Sequence, residues 1–148
     1  MKDIYNYWFY DERLSSSGMP TAEQMKSVAD AGVKVVINLA LRTSQGALEN
    51  EDAVVKSLGM KYIHIPVEWS DPTPQNLEDF LNAMDTHKDE NVLVHCQANY
   101  RASSFIMLYR VLRLGWKKEE AIPVMEKIWN PEDFPVWQKF IEANLPPE

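Results

Sequence analysis

The chain holds one cysteine, and its neighbours give it a chemical setting: Val92-Leu93-Val94-His95-Cys96 leads into Gln97-Ala98-Asn99-Tyr100-Arg101-Ala102-Ser103. An apolar, β-branched run ends on His-Cys. A short polar loop follows, then a long apolar segment, Phe105 to Leu114, with the character of a buried helix. Strand, tight loop and helix start make an anion-binding device, because the first amides of a helix have no internal partners. A thiol in that loop feels the positive end of the helix, which favours the thiolate. Arg101 adds a planar, permanently charged fork that matches a tetrahedral oxyanion. Together these residues describe a sulfur nucleophile beside an oxyanion cradle. The plainer alternative is a cysteine acting as a small buried hydrophobe. Against it stands His95, which is costly to bury on a strand without a partner.

These residues resemble the cysteine-dependent phosphatases of the dual-specificity group, whose signature is His-Cys, five residues, Arg, then Ser or Thr. Gly32-Val33-Lys34-Val35-Val36-Ile37-Asn38-Leu39 and Tyr62-Ile63-His64-Ile65-Pro66-Val67 are similar to two strands of that group. Leu14-Ser15-Ser16-Ser17-Gly18-Met19-Pro20-Thr21 is closer to a bacterial branch of phosphatase-like domains, some of them fused to β-lactamase-fold hydrolases. Glu119-Glu120-Ala121 again resembles the phosphatases. Two departures stand out. Only four residues, Gln97 to Tyr100, separate Cys96 from Arg101, and Asn99 takes the place of the family's glycine. Asn enters left-handed conformations at low cost, so the second change is tolerable. The shorter spacing shrinks the cradle and is closer to the rhodanese-type sulfurtransferases, whose loop holds a persulfide.

The resemblance implies a phosphate monoester hydrolase acting through a cysteinyl-phosphate intermediate, without metal or organic cofactor. Cys96 is then the nucleophile. The loop amides of Gln97, Ala98, Asn99, Tyr100 and Ala102, with Arg101, hold the phosphate oxygens. Ser103 either assists departure of the thiolate or simply caps the helix. His95 orients the backbone before the sulfur by bonding into a neighbouring loop. The leaving group needs a proton from a carboxylic acid, and the family's Asp position is occupied by Trp69. Asp71, on the turn before Pro72, is the preferred candidate, with Glu68 as the alternative. Arg42 follows a strand and either helps to bind substrate or is an ordinary surface residue. His64 is expected to be satisfied within its strand and His87 to be a solvated helix end. Two rival functions stay open: a sulfurtransferase carrying a persulfide on Cys96, and a module that binds an anion without turnover.

The elements that must position these residues alternate. A first aromatic stretch, Ile4 to Tyr10, is expected to pack on the body as a strand or arm, and Ser15 to Gly18 to form a loop. Thr21 and Gln24 have the spacing of a capping box for a helix that stops at Gly32. Strands are expected at 33–39, 61–67 and 92–96, and helices at 51–58, 76–87, 103–114, 117–129 and 133–143. That alternation implies one α/β domain over 1–148: a central, mostly parallel sheet with helices on both faces, and the cysteine loop between a strand and a buried helix.

Composition narrows the partners. The net charge is −7, with 25% charged and 45% hydrophobic residues, which argues against nucleic acid or anionic membranes. The expected partner is a phosphorylated substrate or small oxyanion drawn in by local positive charge. One cysteine allows no internal disulfide and no cysteine-cluster zinc site. A reactive lone thiol fits a reducing, cytoplasmic location.

Overall fold

In the computed structural model, residues 1–147 are described, and the local signals of the sequence close into an α/β sandwich. The described residues form β1 (Trp8–Asp11), β2 (Leu14–Ser17), α1 (Ala22–Asp30), β3 (Val35–Asn38), α2 (Glu51–Ser57) and β4 (Lys61–His64). They continue as α3 (Pro74–Thr86), β5 (Val92–His95), α4 (Tyr100–Leu112), α5 (Lys118–Glu126), a 3-10 turn (Pro131–Asp133) and α6 (Pro135–Asn144). The sheet runs β1-β2-β5-β3-β4. β1 and β2 are antiparallel, whereas β2, β5, β3 and β4 pair in parallel.

β3 and β5 are buried along their whole lengths, as parallel strands covered on both faces must be. One cluster beneath the sheet joins Ile37, Val94, Leu108, Phe105, Phe80 and Trp137. A second, on the opposite face, joins Met25, Val28, Val36, Val55 and Leu93. β5 therefore sits at the centre and delivers Cys96 to the end of the sheet.

Helix ends follow the expected chemistry. Thr21 and Gln24 bond reciprocally across the start of α1. α3 starts at Pro74, two residues before the expected position, because Thr73 and Asn76 form a second capping box. Gly32, Gly59 and Gly115 turn the chain with positive φ after α1, α2 and α4.

Three expectations are corrected. Ser15 to Ser17 belong to a strand, not a loop: β2 is fully buried between β1 and β5, and Ser16 Oγ lies 2.9 Å from the Tyr10 hydroxyl. Small polar side chains are tolerated there because the ladder satisfies the backbone, Ser16 meets Tyr10 and Ser17 Oγ donates to the Gly18 carbonyl at 2.8 Å. α4 begins at Tyr100, three residues earlier than expected, so Ser103 lies inside the helix and does not cap it. Its Oγ donates back to the Tyr100 carbonyl at 3.2 Å. His87 is partly buried, with Nδ1 at 2.6 Å from Glu90. That contact, with Lys61 second, holds the Glu90 carboxyl below its ordinary range.

Candidate active site

β5 ends at His95, and the chain must then turn sharply enough to start α4 only five residues later. Asn99 makes the turn in the left-handed region at φ 70°. Its side chain makes no capping bond to α4. The first intrahelical bond runs from the Ser103 amide to the Asn99 carbonyl, so the first-turn amides of Tyr100, Arg101 and Ala102 have no helical partner. A buried helix start with amides in this state is suited to an anion.

The outer side of the loop is held by the N-terminal arm. The Met19 amide donates to the Gln97 carbonyl at 3.0 Å, and Asn6 Nδ2 donates to the Ala98 carbonyl at 2.9 Å. Asn99 Nδ2 donates in return to the Asn6 carbonyl at 2.8 Å. These bonds fix the loop's peptide planes with two carbonyls turned toward the arm. Gly18 lies against the loop so closely that an added Cβ would stand 2.7 Å from the Gln97 carbonyl oxygen. Nothing local in residues 1–19 signals this role, because the partners lie more than 90 positions away for Asn6.

Cys96 and Arg101 meet in one cleft of about 350 Å³, lined also by Gln97, Ala98, Tyr100, Trp69 and Phe134. Cys96 is 1% exposed and lies at its floor. Arg101, in the first turn of α4, is likewise buried, and its Nη1 donates to the Val67 carbonyl at 2.8 Å. That bond ties the guanidinium to the segment leaving β4 and leaves its other donors for a ligand. Ser103, also buried, lies two residues beyond Arg101 and is not among the residues lining the cleft; its hydroxyl donates to the Tyr100 carbonyl instead.

Beneath the loop, His95 is completely buried and its Nε2 lies 2.7 Å from Glu51 Oε2. Glu51, the first residue of α2, is buried too. His95 Nδ1 lies 3.4 Å from the Cys96 carbonyl. The partner is thus not in a neighbouring loop, as expected, but is a carboxylate on a helix N-terminus, where negative charge is favoured. Glu51 is the residue that sequence reasoning missed. An acidic residue opening a helix is ordinary, and its pairing with His95 spans 44 positions.

The remaining candidates fall elsewhere. His64 Nε2 lies 2.6 Å from the Ala40 carbonyl, satisfied as expected. Arg42 is exposed and borders Glu51 and Tyr62 rather than the Cys96 cleft. Asp71 and Glu68 are exposed, and neither lines the cleft. Trp69, which has the position expected of the family's acid, is instead the centre of an aromatic cluster. Its ring lies 5.3 Å from Phe134, 5.4 Å from Trp137 and 5.7 Å from Trp129. Tyr100 stacks flat on Trp129 at 4.7 Å. Among the described residues, no group of His, Cys, Asp and Glu is arranged to hold a metal ion.

Residues 10–135 match the family described as "DSP-PTPase phosphatase fused to NAD+ kinase". The chain belongs to that family. It is a phosphatase-like hydrolase domain with the fold of the dual-specificity phosphatases. A DUF442 protein from Shewanella putrefaciens CN-32 is 37% identical and superposes with a TM-score of 0.86, covering 97% of this chain and 90% of that one. TpbA from P. aeruginosa, at 18% identity and a TM-score of 0.75, shares the fold over 94% of this chain and 84% of its own. A β-lactamase hydrolase-like protein of Xylella fastidiosa is 29% identical over 113 residues, which are 74% of this chain and 26% of that protein. The chain thus spans about a quarter of the length of the curated relatives it matches. Among the described residues, no helix is long and apolar enough to cross a membrane.

Proposed function

We propose that this domain hydrolyses phosphate monoesters through a cysteinyl-phosphate intermediate on Cys96. The observation that carries the reading is the meeting of Cys96 and Arg101 in one cleft at the uncapped start of buried α4. The thiolate attacks phosphorus, and the phosphoryl oxygens rest on the loop amides from Gln97 to Ala102 and on Arg101. Such catalysis is positioning and charge stabilisation. Water then attacks the phosphocysteine and returns the thiolate to the helix start, where Arg101 and the unpartnered amides favour its charge. His95, held by Glu51, keeps the Cys96 carbonyl and hence the start of the loop in place. Phosphorylated substrate is the partner.

The four-residue spacing between Cys96 and Arg101 favours one rival, persulfide transfer, since a smaller loop suits a single extra sulfur. Two assays separate the readings. Phosphate release from p-nitrophenyl phosphate, abolished in Cys96→Ser and strongly reduced in Arg101→Lys, is the expected result, because a point charge cannot replace the bidentate fork. Thiocyanate formation from thiosulfate and cyanide without phosphate release would establish the sulfurtransferase instead. Silence in both, with phosphate still bound, would leave an anion-binding module.

A further inference from the structure

The cleft joins an anion cradle to an aromatic wall, and this wall stands where a proton donor to the leaving group is needed. Trp69 and Phe134 pack edge to face at 5.3 Å beside Cys96, and Phe134 is 37% exposed at the rim. Among the described residues, no carboxylate lines the cleft. The two acids of the adjoining turn, Glu68 and Asp71, are exposed and outside its lining, and the backbone beside them is anchored. Glu68 follows Val67, which is fully buried and whose carbonyl holds Arg101. Trp69 is anchored through its carbonyl, which accepts the Trp137 indole N–H at 2.7 Å. Asp71 lies between that anchor and buried Pro72, directly before the Thr73 capping box. The Asp71 amide is itself tied to the Glu68 carbonyl at 3.1 Å, which closes the turn outside the cleft lining.

We propose that the domain acts on phosphoryl groups carried by weakly basic oxygens, as in acyl phosphates and acidic aryl phosphates, with a flat apolar leaving group seated on Trp69 and Phe134. The inference rests on the cysteinyl-phosphate reading above. In the first step the Cys96 S–P bond forms and the P–O bond breaks. The electron pair departs on a carboxylate or acidic phenolate, which needs no proton. In the second, water forms the new P–O bond, the S–P bond breaks, and the water's proton goes to the released phosphate or to solvent. A strongly basic alkoxide or unactivated phenolate leaves poorly without an acid.

The test is a leaving-group series: p-nitrophenyl, phenyl, benzoyl and acetyl phosphates on wild type, Asp71→Asn, Glu68→Gln and Phe134→Ala. The expected kcat/KM falls about tenfold for each unit by which the leaving group's pKa rises. About six units separate a carboxylate from an unactivated phenolate, so benzoyl phosphate should exceed phenyl phosphate by up to about a millionfold, and the same slope should hold in Asp71→Asn and Glu68→Gln. Phe134→Ala should raise KM for benzoyl phosphate several-fold while leaving acetyl phosphate unchanged. A shallow slope that steepens in either acid variant would overturn the inference and leave the phosphatase reading intact. Absence of phosphate release from every substrate would overturn both.

Discussion

Replacing Gly18 by alanine tests whether the N-terminal arm sets the geometry of the cysteine loop. The new Cβ would lie 2.7 Å from the Gln97 carbonyl oxygen, 2.7 Å from Tyr5 Cδ2 and 3.0 Å from the Tyr5 carbonyl oxygen. Ordinary contacts of this kind begin near 3.4 Å, so the loop or the arm must retreat by roughly 0.7 Å. The Gln97 carbonyl cannot move away without stretching its 3.0 Å bond from the Met19 amide, and the Tyr5 carbonyl is held by the Gly18 amide at 2.7 Å. Overpacking of a buried site costs about 1–3 kcal/mol, and a disturbed backbone hydrogen bond adds about 1 kcal/mol. Gly18→Ala should therefore lose roughly 2–4 kcal/mol in urea unfolding, and kcat/KM for p-nitrophenyl phosphate should fall under conditions where the variant is still folded. Gly59→Ala is the matched control. There φ is 84° with nothing within 4 Å of the added carbon, so the cost is backbone strain of about 1 kcal/mol with activity unchanged. A Gly18→Ala protein with wild-type stability and kcat/KM would refute the argument that the arm shapes the loop.

Glu51→Ala should destabilise by roughly 3 kcal/mol, because it leaves a completely buried imidazole without its partner; Glu51→Gln, which can still hydrogen-bond to Nε2, should recover most of that in chemical denaturation and restore kcat. Asn99→Ala should cost about 1–2 kcal/mol for the left-handed backbone, while Asn99→Gly should be tolerated better, measured by the same unfolding curve and by inorganic phosphate as a competitive inhibitor. Burial pushes the Tyr62 hydroxyl up to about 12, with its contact to Asn38 opposing the shift. A raised value in the folded state means that this contribution to stability is intact below the unfolded value of about 10 and is lost as the pH climbs through the folded one. Tyr62→Phe should accordingly flatten the alkaline limb of a stability–pH curve above pH about 10, and an unchanged limb would remove Tyr62 as its source.

Where a residue's immediate neighbours carry the physics, the sequence was sufficient. The apolar run into His95-Cys96, the left-handed Asn99, the reciprocal Thr21–Gln24 cap and the glycine stops all depend on chain geometry over a few residues, and each lies where its local chemistry puts it. The alternation of strands and helices likewise implied a mostly parallel sheet. Tertiary structure decided what depends on distant partners. Ser15 to Ser17 look like a loop until β1 and β5 flank them, and the amides that open α4 became visible only with the helix start at Tyr100. The Asn6 clasp, the Glu51–His95 pair and the anchoring of Trp69 by Trp137 join residues 44 to 93 positions apart. Such contacts leave no periodicity or spacing to read, because burial gives them their strength, and burial exists only once the sheet and its helices have closed.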